Sequence, residues 1–170
     1  MMKMILLLTG ILWMFSPIQA QHPDWEGGYA DGCTSVTAGK KATADGSVIT
    51  SHTDDSHRTR SWMDIVPARK HENGATSPMF HRVANDSFAM PSYSHIPIGE
   101  IPQVKLTHQF LNTAYPSMNQ YQLGIGESTF GGREELQSDS GLIDCQRLCR
   151  LMLERCKTAR EAIELAGELT

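Results

Sequence analysis

The chain has 170 residues, 40% of them hydrophobic, with 15 basic side chains against 19 acidic ones. Mean hydropathy is −0.31, which fits a soluble globular protein and excludes both a disordered tail and a multi-span membrane protein. A net charge of −4 also excludes a general nucleic-acid binder, which would show a clustered basic excess.

In chain order, Lys3 precedes the apolar run from Met4 to Phe15, followed by Ser16-Pro17 and Ile18-Gln19-Ala20. A charged start, an apolar run of about a dozen residues and a small residue at a cleavage position predict a secretory signal peptide over 1–20. The run falls short of the roughly 18 to 20 residues that span a bilayer, so an uncleaved anchor is the weaker alternative. The expected product is exported, periplasmic or extracellular, with no stable membrane insertion once the signal is removed. Residues 21–32, QHPDWEGGYADG, lack periodicity and read as a linker or pro-segment.

At Cys33 the character changes. Thr34 to Ala38 is rich in β-branched residues, Gly39-Lys40-Lys41 and Asp45-Gly46 supply turns, and Ser47 to Thr53 is a second strand-like run. A β-hairpin starting at the cysteine is predicted. Residues 56–102 contain Pro67, Pro78, Pro91, Pro97 and Pro102 and read as loop-rich, with Trp62 as core or loop packing. Gln103 to Asn112 alternates, with Val104, Leu106, His108 and Phe110 on one side, and reads as a half-buried strand paired with Asn119 to Gly126. Asp144 is a candidate N-cap for a helix over Cys145 to Cys156, whose apolar stripe is Cys145, Leu148, Cys149, Met152 and Cys156. Thr158-Ala159-Arg160-Glu161 is a capping box for a second helix. The pattern runs out inside that helix, so the expectation is the front part of a longer protein.

Four cysteines in an exported chain suggest two disulfides, but the spacing argues otherwise. Cys145, Cys149 and Cys156 share one helix face, and residues seven apart lie about 10 Å apart along the axis. Neither that spacing nor parallel projection four residues apart suits disulfide geometry, so these three read as buried small hydrophobes. A disulfide from Cys33 to the helix, or lipidation of Cys33, is the weaker option. Cys33 reads instead as a nucleophile that becomes the first residue of the mature chain. An α-amine ordinarily titrates near about 8 and a thiol near about 8.5. An amine on the same residue can therefore take the thiol proton and later pass it to a leaving amine. Gly32 has no Cβ to obstruct attack on its carbonyl. A carboxylate is wanted to hold the ammonium, and the hairpin would return His52, Asp54, Asp55 and His57 beside Cys33.

The stretch CTSVTAGKKATADGSVITSHTDDS, from Cys33 to Ser56, resembles the opening of the mature chain in the C69 family of dipeptidases, relatives of the secernins. NQYQLGIGESTFGGREEL and GLIDCQRLCRLMLERCKTAREAIEL resemble later blocks of the same family in the same order. The resemblance implies an α+β chain of the N-terminal-nucleophile hydrolase type, a four-layer αββα sandwich that is incomplete here, with residues 33–170 as the front of the peptidase domain. It implies loss of the residues before the cysteine and hydrolysis of dipeptides through a thioester, with no cofactor and no metal. Homo-oligomerisation stays open. By position, Cys33 matches the nucleophile, and Asp55 the aspartate that the cysteine branch places near the nucleophile's amine. His52 stands where penicillin and bile-salt acylases have an arginine, and it is a candidate substrate-binding residue. The expected oxyanion-hole asparagine is replaced by Glu127, Ser128 or Thr129, of which Glu127 and Ser128 are the candidates for substrate contact; backbone N–H groups can do that work.

Two rival functions remain at this stage. One is a metal-binding module using His52, Asp54, Asp55 and His57, although strand alternation puts His52 and Asp54 on the opposite face from Asp55 and His57. The other keeps Cys33 as nucleophile but takes an N-acyl amide such as a penicillin or bile-salt conjugate. His22, His71, His81, His95 and His108 show no partner spacing and read as surface or half-buried.

Overall fold

The structure is a computed structural model that describes residues 32–53, 62–85, 92–128, 132–136, 138 and 140–170. The expected signal peptide, nearly all of the pro-segment, and Asp54, Asp55, His57 and Thr129 lie outside the described residues.

The predicted hairpin is present. Strand β1 (Ser35–Ala38) pairs antiparallel with β2 (Ile49–His52), with Ser35 opposite His52 and Ala38 opposite Ile49. Asp45 closes the connecting turn by accepting the Ser47 N–H at 3.0 Å, and Gly46 adopts φ +76°, a left-handed conformation in which a Cβ is strained. Residues opposite each other in an antiparallel pair share a face. Ser35, Thr37, Thr50 and His52 therefore face one way, with the Thr37 and Thr50 hydroxyls 3.1 Å apart. Val36 and Ile49 face the other way and are 64% and 57% exposed.

The stretch after residue 56 corrects the loop-rich expectation. It forms β3 (Asp64–Val66), β4 (Arg69–Lys70), and the long hairpin of β5 (Thr76–Asn85) with β6 (Ser92–Pro102). Proline interrupts a sheet by withholding a ladder N–H, but in a two-stranded sheet each strand has one unpaired edge. Pro78 sits opposite Glu100 and Pro97 opposite Phe80, and the register shifts between Met79 and Phe80. That bulge absorbs the missing bonds.

The predicted strand Gln103 to Asn112 is also corrected, because the chain bends midway and serves two sheets. Strand β7 (Leu106–Thr107) pairs with β4, while β8 (Phe110–Asn112) pairs with β3 on one side and with β9 (Met118–Asn119) on the other. Leu106 ends up 46% exposed, whereas His108 and Phe110 are buried. His108 thus departs from the surface or half-buried expectation. The partner run shrinks to β9 and a bridge from Met118 to Gly124.

Helix α1 (Cys145–Arg155) starts where expected, with Asp144 accepting the Arg147 N–H at 2.6 Å. Helix α2 (Ala159–Leu169) carries the predicted capping box of Thr158 and Glu161. The buried face of α1 differs from the predicted stripe: Cys149 and Cys156 are buried, but Cys145 is exposed, and Leu151 and Leu153 are fully buried. The reason is that α1 is covered on more than one side. Phe110, Leu123, Leu153, Cys156 and Ala162 form one core between the helices and the β8–β9 ribbon. Its arginines meanwhile clamp the long hairpin. Arg147 donates to Ser77 Oγ at 2.7 Å and to the Pro78 carbonyl at 3.1 Å, and Arg155 donates to the Pro102 carbonyl at 3.0 Å. The result is a mixed α/β fold. Among the described residues no helix is long and apolar enough to cross a membrane.

Candidate active site

Cys33 lies two residues before Ser35, so alternation points its side chain to the face of the hairpin that carries Ser35 and His52. The segment from Gly124 to Ser128 lies over that face. A Cβ on Gly124 would come 3.3 Å from Thr50 Cγ2, and one on Gly126 would come 3.5 Å from His52 Cδ2 and 3.4 Å from Ser35 Oγ. The glycines thus let a second backbone close over the strand ends, and Glu127 and Ser128 follow directly.

The Cys33 thiol donates to Glu127 Oε2 at 3.5 Å, and the Ser35 and Ser128 hydroxyls meet at 3.3 Å. Cys33, His52 and Glu127 each bring one donor atom within 4.8 Å of the others. The mouth of the hairpin is tied by two bonds between Thr34 and Thr53. The Thr34 N–H donates to Thr53 Oγ1 at 3.0 Å, and the Thr53 N–H donates to the Thr34 carbonyl at 2.9 Å. Of the residues singled out by sequence, the structure therefore brings together Cys33, His52, Glu127 and Ser128; Asp55 lies outside the described residues.

A carboxylate that accepts from the thiol is a poor oxyanion donor, because it repels the charge an oxyanion hole must stabilise. It is well suited to a cation. The Glu127 side chain is thus better matched chemically to an ammonium group or a metal ion than to an oxyanion. Ser128 is engaged with Ser35. Sequence reasoning missed Ser35 and Thr53. The signal for Ser35 was the two-residue alternation from Cys33, and that for Thr53 was its place at the end of the second run.

His52 also lines a cavity of about 490 Å³ whose walls include Thr50, Trp62, Met63, Leu111, Tyr115 and Ile125. Trp62, read from sequence as packing, is 43% exposed and forms part of this wall. A mostly apolar cavity with a polar rim is the usual form of a small-ligand site.

The first turn of α1 adds two thiols. Both thiols are free, in line with the expectation of no disulfide within the helix, and a side-chain hydrogen bond links Cys145 and Cys149. That bond, chiefly, holds Cys145 below the ordinary thiol range, against burial and the charges of Glu127 and Asp144. Cys149 is pushed up by the same bond and then by burial.

A part-buried thiol beside a carboxylate on a mixed α/β frame is an arrangement compatible with a hydrolase. The profile described as Peptidase family C69 matches residues 32–170, and the chain belongs to that family. Comparison with curated proteins and with solved structures gave no match.

Proposed function

We propose that the protein is an exported cysteine-type dipeptidase whose nucleophile is Cys33, exposed as the first residue by removal of everything before it. The observation that carries this reading is the Cys33 thiol 3.5 Å from the Glu127 carboxylate at the open end of the hairpin. The family match, which begins at residue 32, one position before Cys33, supports it. In the reaction, the α-amine of Cys33 takes the thiol proton and sulfur attacks the amide carbonyl of the dipeptide. The ammonium then protonates the departing amine, leaving a thioester. Water, deprotonated by the same amine, hydrolyses the thioester and releases the first amino acid.

Glu127 gives the preference for a free amino terminus, because its carboxylate pairs with the substrate ammonium. The apolar cavity beside His52 takes a side chain, and Asp55 orients the Cys33 amine. The exposed apolar side chains of Val36 and Ile49, on one face of the hairpin, support a further layer over it, as in a four-layer αββα sandwich.

Intact mass and dipeptide hydrolysis of the full-length protein test the reading. A mature start at Cys33 is expected, and Cys33→Ala should lower turnover by about three orders of magnitude or more. An active enzyme whose chain still begins before Cys33 overturns it. Faster hydrolysis of an N-acetylated dipeptide than of the free one would move the substrate to N-acyl amides.

A further inference from the structure

Three donors of different chemistry converge at the end of the hairpin: a thiol sulfur, an imidazole nitrogen and a carboxylate oxygen, all within 4.8 Å of one another. That set suits zinc, a borderline-soft ion bound by Cys, His and Glu. Bond lengths of about 2.3 Å to sulfur and about 2.0–2.2 Å to nitrogen and oxygen put neighbouring donors of a tetrahedron about 3.3–3.6 Å apart. Cys33 Sγ and Glu127 Oε2 already stand 3.5 Å apart. A ring nitrogen of His52 lies within 4.8 Å of both. His52 Nε2 is buried and has no hydrogen-bond partner among the described residues, so the ring is a polar group still lacking the partner that buried nitrogen requires. A thiolate and a carboxylate also neutralise a divalent charge.

We propose that Cys33 Sγ, a ring nitrogen of His52 and the Glu127 carboxylate form a Zn²⁺ site that switches the nucleophile off. Binding releases the thiol proton to solvent and commits the attacking sulfur lone pair to the metal. When Cys33 is the first residue, its α-amine joins as a fourth donor, closing a five-membered chelate with Sγ, so the processed enzyme binds zinc more tightly than its precursor. The switch rests on the reading of Cys33 as nucleophile; the metal site rests on the three donors alone.

Co²⁺, which takes zinc geometry and absorbs visibly, is the probe. Titrated into the full-length protein, it should give one equivalent with a thiolate charge-transfer band and the strong d–d absorption of a tetrahedral ion, both displaced by Zn²⁺. His52→Ala and Glu127→Gln should each weaken binding by about tenfold or more, while Cys145→Ala leaves it unchanged. A band of undiminished affinity in both variants means binding by the thiol alone and overturns the site. So does weak octahedral absorption in the unaltered protein, a readout that needs no variant to fold. Equimolar Zn²⁺ should abolish dipeptide hydrolysis and a chelator restore it; active enzyme insensitive to zinc overturns the switch. Metal-free protein that binds Co²⁺ as described but hydrolyses no dipeptide leaves the metal site standing and strikes the dipeptidase reading instead.

Discussion

Cys145 and Cys149 are chemically the same side chain one helical turn apart, and their surroundings give them opposite reactivity. Cys145 is the first residue of α1, where unpaired N–H groups favour a thiolate, and it is exposed. The Cys149 thiol stabilises that thiolate further and is itself buried and pushed up. Burial likewise raises Cys156. Iodoacetamide near neutral pH should therefore alkylate Cys145 well ahead of Cys149 and Cys156, as read by peptide mapping over time. Equal rates for the three would refute the arrangement. The same position predicts that Cys145→Ala changes stability by less than about 1 kcal/mol, the usual range for an exposed site.

Between elements, one buried side chain holds the helix end to the sheet. Asn119 in β9 donates through Nδ2 to the Leu153 carbonyl at 3.0 Å and to the Cys156 carbonyl at 2.7 Å. Its Oδ1 accepts the N–H groups of Tyr121 and Leu123 at 3.0 and 3.2 Å. All four hydrogen-bonding positions of the amide are used. Two of its partners are carbonyls at the end of α1 that a helix leaves unsatisfied, and the other two shape a turn in which Gln122 takes φ +64°. Asn119→Ala should destabilise the chain by about 2–3 kcal/mol, seen as a lower urea midpoint, since it strands buried polar groups. A change below about 0.5 kcal/mol would show that water replaces the amide. This clamp was not legible in the sequence, where Asn119 only opened a strand-like run. Local chemistry was legible: the hairpin turn at Asp45-Gly46, the Asp144 cap and the Thr158–Glu161 box depend on residues within a few positions. The β5–β6 pairing was not, because prolines that forbid a central strand are tolerated on an edge. At the site, Cys33 and His52 followed from the hairpin, but the approach of Glu127 is a contact across 94 positions that no periodicity announces.

Over the whole molecule, the helix pair and the sheets meet around His108, and this makes stability depend on pH. His108 lies between β7 and β8, its N–H donates to the Glu154 carbonyl of α1 at 2.8 Å, and its ring packs edge-on against Tyr121 at 4.8 Å. It is 6% exposed, and Nδ1 has no partner among the described residues. Burial, chiefly, and then the Lys157 ammonium lower its pKa from the ordinary histidine value; Glu161 on α2 acts in the opposite sense. A base whose folded pKa is depressed leaves the unfolded chain holding more protons just below the ordinary value. The contribution to stability is thus complete above about pH 6.5. It falls as pH drops below that point, and levels off once the folded form also protonates. The urea midpoint should therefore decline between about pH 7.5 and pH 5.5, and His108→Gln, which stays neutral, should remove most of that decline while lowering stability at both pH values. An unaltered slope in the variant would assign the pH dependence to other groups, such as Glu161, whose carboxyl is held below its ordinary range chiefly by the Lys157 backbone N–H.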